Sequence, residues 1–238
     1  MCEPPLRWIS AGVVAQVGLF TALAAGVGLS ATAWTAGALY TVAAAVLLGW
    51  AARGLRPGPA DAVTSARVVL LGGVVTLVAQ GGPPWPVVVL AATALALDLV
   101  DGSVARRTGT ASTHGARYDM EVDASVLVVL AVHVAADLGA WVLLVGAARY
   151  VFWAASVPWP WLAAPLPGRL SRKAVAAVQG MALVIAAAPV SPVWVSAAVV
   201  GGALAALVWS FGRDTLWLCR HRPAERGPAA TAFPRLRG

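Results

Sequence analysis

Charge is scarce in this chain of 238 residues: Asp, Glu, Lys and Arg make up 11%, where an average soluble domain carries about a quarter. With 60% hydrophobic residues and a mean hydropathy of +0.79, that shortage excludes an ordinary water-soluble domain. Cysteine is nearly missing too. Cys2 and Cys219 stand at opposite ends, both expected on the cytoplasmic side, so a disulfide is not expected, and no lipidation motif surrounds Cys2. The basic residues are scattered over short loops with no soluble segment to build a groove, which argues against nucleic acid as a partner.

What the chain has instead is a series of apolar runs, at 9–29, 33–52, 62–80, 85–105, 116–136, 139–157, 173–189 and 193–212. Each is near the roughly 20 residues that cross a bilayer core as a helix. The expectation is an all-α polytopic membrane protein of eight spans. Run 9–29 is too long for the 7–15-residue core of a signal peptide. Most Trp residues, among them Trp8, Trp34, Trp85, Trp141 and Trp194, fall near run ends, as an interfacial belt requires.

Lys and Arg near span ends favour the cytoplasm. With Arg7 inside, alternation gives one face Arg53, Arg56, Arg106, Arg107, Arg117, Arg169, Arg172, Lys173, Arg213 and the Arg-rich end, and leaves the other with Asp137 alone. Both termini are therefore expected in the cytoplasm. The net charge of +7 then faces anionic headgroups and phosphorylated solutes on that side. The segment RPAERGPAATAFPRLRG has no periodicity and reads as a disordered basic tail.

Half of the ten acids fall in one stretch, LDLVDGSVARRTGTASTHGARYDMEVDAS, residues 97–125. Asp98 and Asp101 are three apart at the end of one predicted helix, and Asp119 and Asp123 four apart at the start of the next, so each pair shares a helical face. A stop at Gly109 and an N-cap at Ser112 or Thr113 would return the chain antiparallel, with the acidic faces opposed. Four converging carboxylates do not all stay ionised without cations. Oxygen-only ligands point to Mg²⁺ or Mn²⁺, not to zinc, for which His114 alone is insufficient. The plainer alternative is a solvated acidic loop paired with Arg106, Arg107 and Arg117. Against it stand the helical spacing and the apolar neighbours of Asp98.

These residues resemble the CDP-alcohol phosphotransferases, integral membrane enzymes of phospholipid synthesis whose motif is D-x-x-D-G-x-x-A-R followed by G-x-x-x-D-x-x-x-D. Here Asp98, Asp101, Gly102, Ala105 and Arg106 precede Gly115, Asp119 and Asp123 without departure. The resemblance extends less completely to N-x-[LI]-T-x-x-R, which reads DAVTSAR: Thr64 and Arg67 match and Asp61 replaces Asn. It implies a six-helix catalytic core (58–212), preceded by a two-span extension (1–57) and followed by a basic tail (213–238). It also implies transfer of a phosphatidyl group from a CDP-linked lipid, CDP-diacylglycerol most often, to a small alcohol, with CMP released.

By the same resemblance Asp98, Asp101, Asp119 and Asp123 hold two divalent cations, Asp123 is also the general base, and the protein is a homodimer. Gly102, Ala105 and Gly115 leave room for the nucleotide. Arg106, with Thr64 and Arg67, contacts the donor, a guanidinium being suited to pyrophosphate. Arg149 lies inside an apolar run, and Arg169, Arg172 and Lys173 open the seventh; together they are candidates for a phosphorylated acceptor such as glycerol 3-phosphate or inositol phosphate. Two rival classes share features with this pattern. An intramembrane prenyltransferase usually keeps its two acidic sets in separate halves of the chain, and a proton-coupled transporter would place acids near the bilayer midplane and show an internal repeat.

Overall fold

A computed structural model describes residues 5–51, 59–108, 113–164 and 170–221. Among them the chain is all helical: α1 (Pro5–Gly26), α2 (Ala31–Ala51), α3 (Pro59–Ala79), α4 (Pro84–Thr108), α5 (Thr113–Leu138), α6 (Leu143–Ser156), α7 (Leu170–Ala187) and α8 (Val193–Arg220). One helix forms for each apolar run. Short 3₁₀ turns precede α6 (Ala140–Val142) and follow it (Pro160–Ala163).

The turns α1–α2, α3–α4 and α5–α6 lie at one end of the bundle, and each contains a glycine at positive φ: Gly28, Gly81 and Gly139. Only glycine takes that conformation without strain, so each helix can stop and reverse within a few residues. Gln80 ties two of these turns together, accepting from the Ser30 backbone N–H (3.0 Å) and donating to the Gly28 carbonyl (3.3 Å).

The core is built from stripes at helical spacing, Leu71, Val74 and Leu77 on α3, Val87 and Ala91 on α4, and Val126, Leu130 and Val134 on α5, with Leu183 of α7 and Val200 of α8 packed against them. Small residues let backbones approach, as packing between membrane helices favours. A Cβ on Gly146 of α6 would come 2.7 Å from the Val128 Cα of α5, and one on Gly180 of α7 would meet Leu95 of α4 at 3.0 Å. Large apolar side chains cover the outer faces, Leu39 at 72% exposure and Trp153 at 69% among them. A water-soluble protein does not present such a surface; a bilayer covers it.

Three helices hold an apolar window long enough to cross a membrane, at Ile9–Gly26, Ala62–Ala79 and Val193–Arg220, and shorter apolar helical stretches occur at Ala31–Leu47, Pro84–Asp98, Ala140–Ser156 and Ala174–Ala187. The fold is that of an all-α polytopic membrane protein. One helix end departs from its apolar run by more than a few residues. The eighth helix continues from 212 to Arg220, because Ser210, Asp214 and Leu218 extend its buried face after charge has ended the apolar run. Residues 222–238 lie outside the described ones, as do the proposed stop at Gly109 and the cap at Ser112.

Candidate active site: carboxylates around a buried arginine

The acids sit at core positions. On α4, Ala91, Ala94 and Asp98 follow one another at helical spacing, and on α5 Asp119 and Asp123 precede Val126, Leu130 and Val134 on the same face. On α3, Arg67 lies one turn before Leu71 on the face that packs inward. At the end of the bundle away from the three glycine turns, the apolar stripes of α3, α4 and α5 thus give way to one cation and three anions at a common level.

Arg67 is fully buried. Its Nη1 lies 3.0 Å from Asp98 Oδ1 and also bonds Asp119 Oδ1, its Nη2 bonds Asp123 Oδ1, and its Nε donates to the Ala94 carbonyl at 3.1 Å. One guanidinium therefore joins three helices. Its planar fork suits this role, since several donors leave one rigid group in fixed directions. The Asp98, Asp119 and Asp123 side chains are about one third exposed (33%, 32% and 40%), so the acids face an opening while the arginine closes the floor.

Among the described residues, three carboxylates gather on one guanidinium. Each acid offers one oxygen to a group lying within 4.8 Å, an all-oxygen donor set that fits a hard divalent cation. Asp101 belongs to the same face of α4 by spacing; its side chain, like those of Ala105, Arg106 and Lys173, lies outside the described residues. Gly102 is in α4 and Gly115 in the first turn of α5. Thr64 is buried one turn before Arg67.

The candidate acceptor residues are not gathered at this centre. Glu121 is two residues from both Asp119 and Asp123, hence on the opposite side of α5, and Arg149 of α6 pairs with it there. Arg172 of α7 lies 3.6 Å from the buried Asp214 of α8, which Arg213 approaches at 3.5 Å while also donating to the Ser171 hydroxyl (3.1 Å) and covering the Trp209 ring (4.8 Å). Arg169 lies outside the described residues. Gly180 packs on Leu95, so helix rise places Arg172 about 12 Å and Asp98 about 4.5 Å beyond that crossing toward the same end. The second charge cluster thus stands roughly one and a half turns further out than the first.

Two features of the site escaped the sequence reading. Arg67, expected at the donor, is also a counterion of the acids. The signal was present, since an arginine inside an apolar span is rarely unpaired. Asp214, placed in the tail, is a buried acid at the base of α8.

The model of the CDP-alcohol phosphatidyltransferase family matches residues 59–210. The chain belongs to this family. It is a membrane transferase of phospholipid biosynthesis that moves a substituted phosphate group from a CDP-alcohol, in a family that uses divalent cations. The matched segment begins with the first residue of α3 and ends within α8, leaving α1 and α2 outside it. Neither the curated proteins nor the solved structures give a significant match.

Proposed function

We propose that this protein transfers a phosphatidyl group from CDP-diacylglycerol to a phosphorylated alcohol at the cytoplasmic face of the membrane, with CMP as the other product. The observation that carries this reading is the convergence of Asp98, Asp119 and Asp123, from two helices of the family's motif, on a set of oxygens suited to hard cations.

Asp98, Asp101, Asp119 and Asp123 would hold two Mg²⁺ or Mn²⁺ ions, which supply neutralisation of the pyrophosphate and of the charge that develops on departing CMP. The chain's own residues do the rest. Arg67 fixes the carboxylates of α4 and α5 relative to each other, so the site does not reorganise as the donor enters. Gly102, Ala105 and Gly115 present bare helix backbone to the nucleotide, and Arg106 contacts the pyrophosphate. The acceptor hydroxyl oxygen attacks the β-phosphorus, its proton passes to Asp123, and the bond from that phosphorus to the oxygen of CMP breaks.

The phosphorylated acceptor is supported best at the α7–α8 cluster, where, among the described residues, Arg172 and Arg213 gather at Asp214. Lys173 and Arg169 flank it in sequence. Arg149 has a matched partner in Glu121 and contributes less to this reading. The arrangement requires eight spans, with residues 108–113 and both termini in the cytoplasm, as the loop charges favour.

The test gives purified protein CDP-diacylglycerol and Mg²⁺ or Mn²⁺ with glycerol 3-phosphate, inositol 1-phosphate, inositol, serine or phosphatidylglycerol in turn, and follows CMP. The expected result is metal-dependent release that requires a phosphorylated acceptor. Release with neutral inositol or serine alone would refute the acceptor; no release from CDP-diacylglycerol with any acceptor would refute the donor.

A further inference from the structure

The helix that carries Arg67 is held from behind as well as in front. Gly72 stands five residues beyond Arg67 and Thr76 nine, which at about 3.6 residues per turn carries them roughly 140° and 180° around α3, away from the carboxylates. That rear face meets α1 and α2 at glycine. A Cβ on Gly72 would come 2.5 Å from the side-chain amide of Gln16 on α1, and one on Gly37 of α2 would come 2.5 Å from the Thr76 hydroxyl oxygen. The glycines bring the backbones close, as small residues do between membrane helices.

Close apolar packing by itself lets a helix slide or turn against its neighbours, whereas hydrogen bonds to particular atoms do not. Near the site, the Tyr40 hydroxyl of α2 donates to the Val68 carbonyl at 2.8 Å, in the same helical turn as Arg67. Just past the far end of α3, Gln80 bonds the Ser30 N–H (3.0 Å) and the Gly28 carbonyl (3.3 Å) of the α1–α2 turn. Val68 and Gln80 are twelve residues apart, about 18 Å along a helix. A helix pinned at two such points to the same pair of neighbours keeps both its depth and its rotation.

Depth and rotation are what the front face needs. Arg67 reaches Asp98, Asp119, Asp123 and the Ala94 carbonyl at once, and its guanidinium is rigid, so a small displacement of α3 breaks some of these contacts. We propose that α1 and α2, which lie outside the family-matched segment, form a brace that sets the position of Arg67 among the carboxylates, with Tyr40 as its positioning residue. The inference rests on the part given to Arg67 above, that it fixes the carboxylates of α4 and α5 relative to each other.

The test uses the full chain in detergent. Tyr40→Phe keeps the ring and loses the hydroxyl; Leu39→Ala, on the exposed side of α2, is the control. Tyr40→Phe should weaken Mn²⁺ binding at least threefold, read from the paramagnetic resonance of free and bound ion without donor lipid, while Leu39→Ala leaves it unchanged. A double-mutant cycle adds Arg67→Lys, which keeps the cation and loses the fork. In chelator, loss of the Tyr40 hydroxyl should raise the unfolding constant at least threefold more in the wild-type background than in the Arg67→Lys background.

Additive effects in the cycle, or a Mn²⁺ affinity that Tyr40→Phe leaves unchanged, would make Tyr40 a packing residue and overturn the proposal, as would an equal effect of Leu39→Ala. The cycle needs neither metal nor turnover. A wild-type chain that releases no CMP therefore fails the functional reading, while the coupling of Tyr40 to Arg67 still decides the brace.

Discussion

Two charge clusters at the same end of the bundle differ in the make-up of their described residues. Around Arg67, three acids meet one fully buried cation; around Asp214, two partly exposed arginines meet one buried acid. Charges near hydrocarbon are costly unless paired, so the groups a cluster gathers indicate what it meets. The first cluster gathers carboxylate oxygens and suits divalent cations. The second gathers guanidinium groups and suits an anionic substrate. Stacked about one and a half turns apart on neighbouring helices, they suit a reaction that brings a metal-bound pyrophosphate to a phosphorylated alcohol.

The sharpest break in that comparison comes from the acids. Asp98→Asn or Asp119→Asn should lower metal-dependent CMP release on the order of 10³-fold, with the protein still eluting as a folded species from size-exclusion chromatography in detergent. Near-normal turnover in either variant would separate the carboxylates from catalysis.

Removing the cation instead tests the floor of the same cluster. Arg67→Met removes the buried cation that joins three facing carboxylates and should cost about 3–5 kcal/mol of stability, as breaking a buried ion pair does. The loss should be largest in chelator and partly recovered with Mn²⁺, which a shift in thermal unfolding would report. An Arg67→Met variant as stable as wild type in chelator would mean that the acids do not need this partner.

At the second cluster, Arg172→Ala should raise the acceptor KM roughly tenfold, about 1.4 kcal/mol, while the CDP-lipid KM moves little. Equal effects on both substrates would dissolve the distinction between the clusters. The smallest change belongs to Arg149→Ala. Its pair with Glu121 is 37% and 55% exposed, so its loss should cost no more than about 1 kcal/mol and alter the acceptor KM less than threefold.

The sequence carried the helices well because membrane helices obey a simple rule: length and apolarity suffice, and the eight runs match the eight helices to within a few residues at most ends. It failed at the far end of α8, where amphipathic packing through Asp214 and Leu218 takes over from hydropathy. The paired acids are legible from helical spacing, which puts Asp98 with Asp101 and Asp119 with Asp123 on shared faces. Which cation fills the space between them is not. The contact of Arg67 with Asp119 and Asp123 crosses more than fifty residues, and local periodicity carries no information about which helices adjoin. Glu121 shows the converse, since spacing alone sets it opposite its neighbours and away from the site.

The three-way grip of Arg67 also bears on how the protein is made. Synthesis delivers α3 before α4 and α5, so the arginine reaches the membrane ahead of Asp98, Asp119 and Asp123. A lone arginine at the middle of a helix costs about 2.5–3.5 kcal/mol to insert, and Arg67 lies eight residues from the start of α3, about 12 Å along it. The third helix therefore has reason to linger at the insertion machinery until the fifth emerges. A nascent chain cut short before Asp119 should remain extractable or be degraded, whereas one extended past Asp123 should be retained in the bilayer.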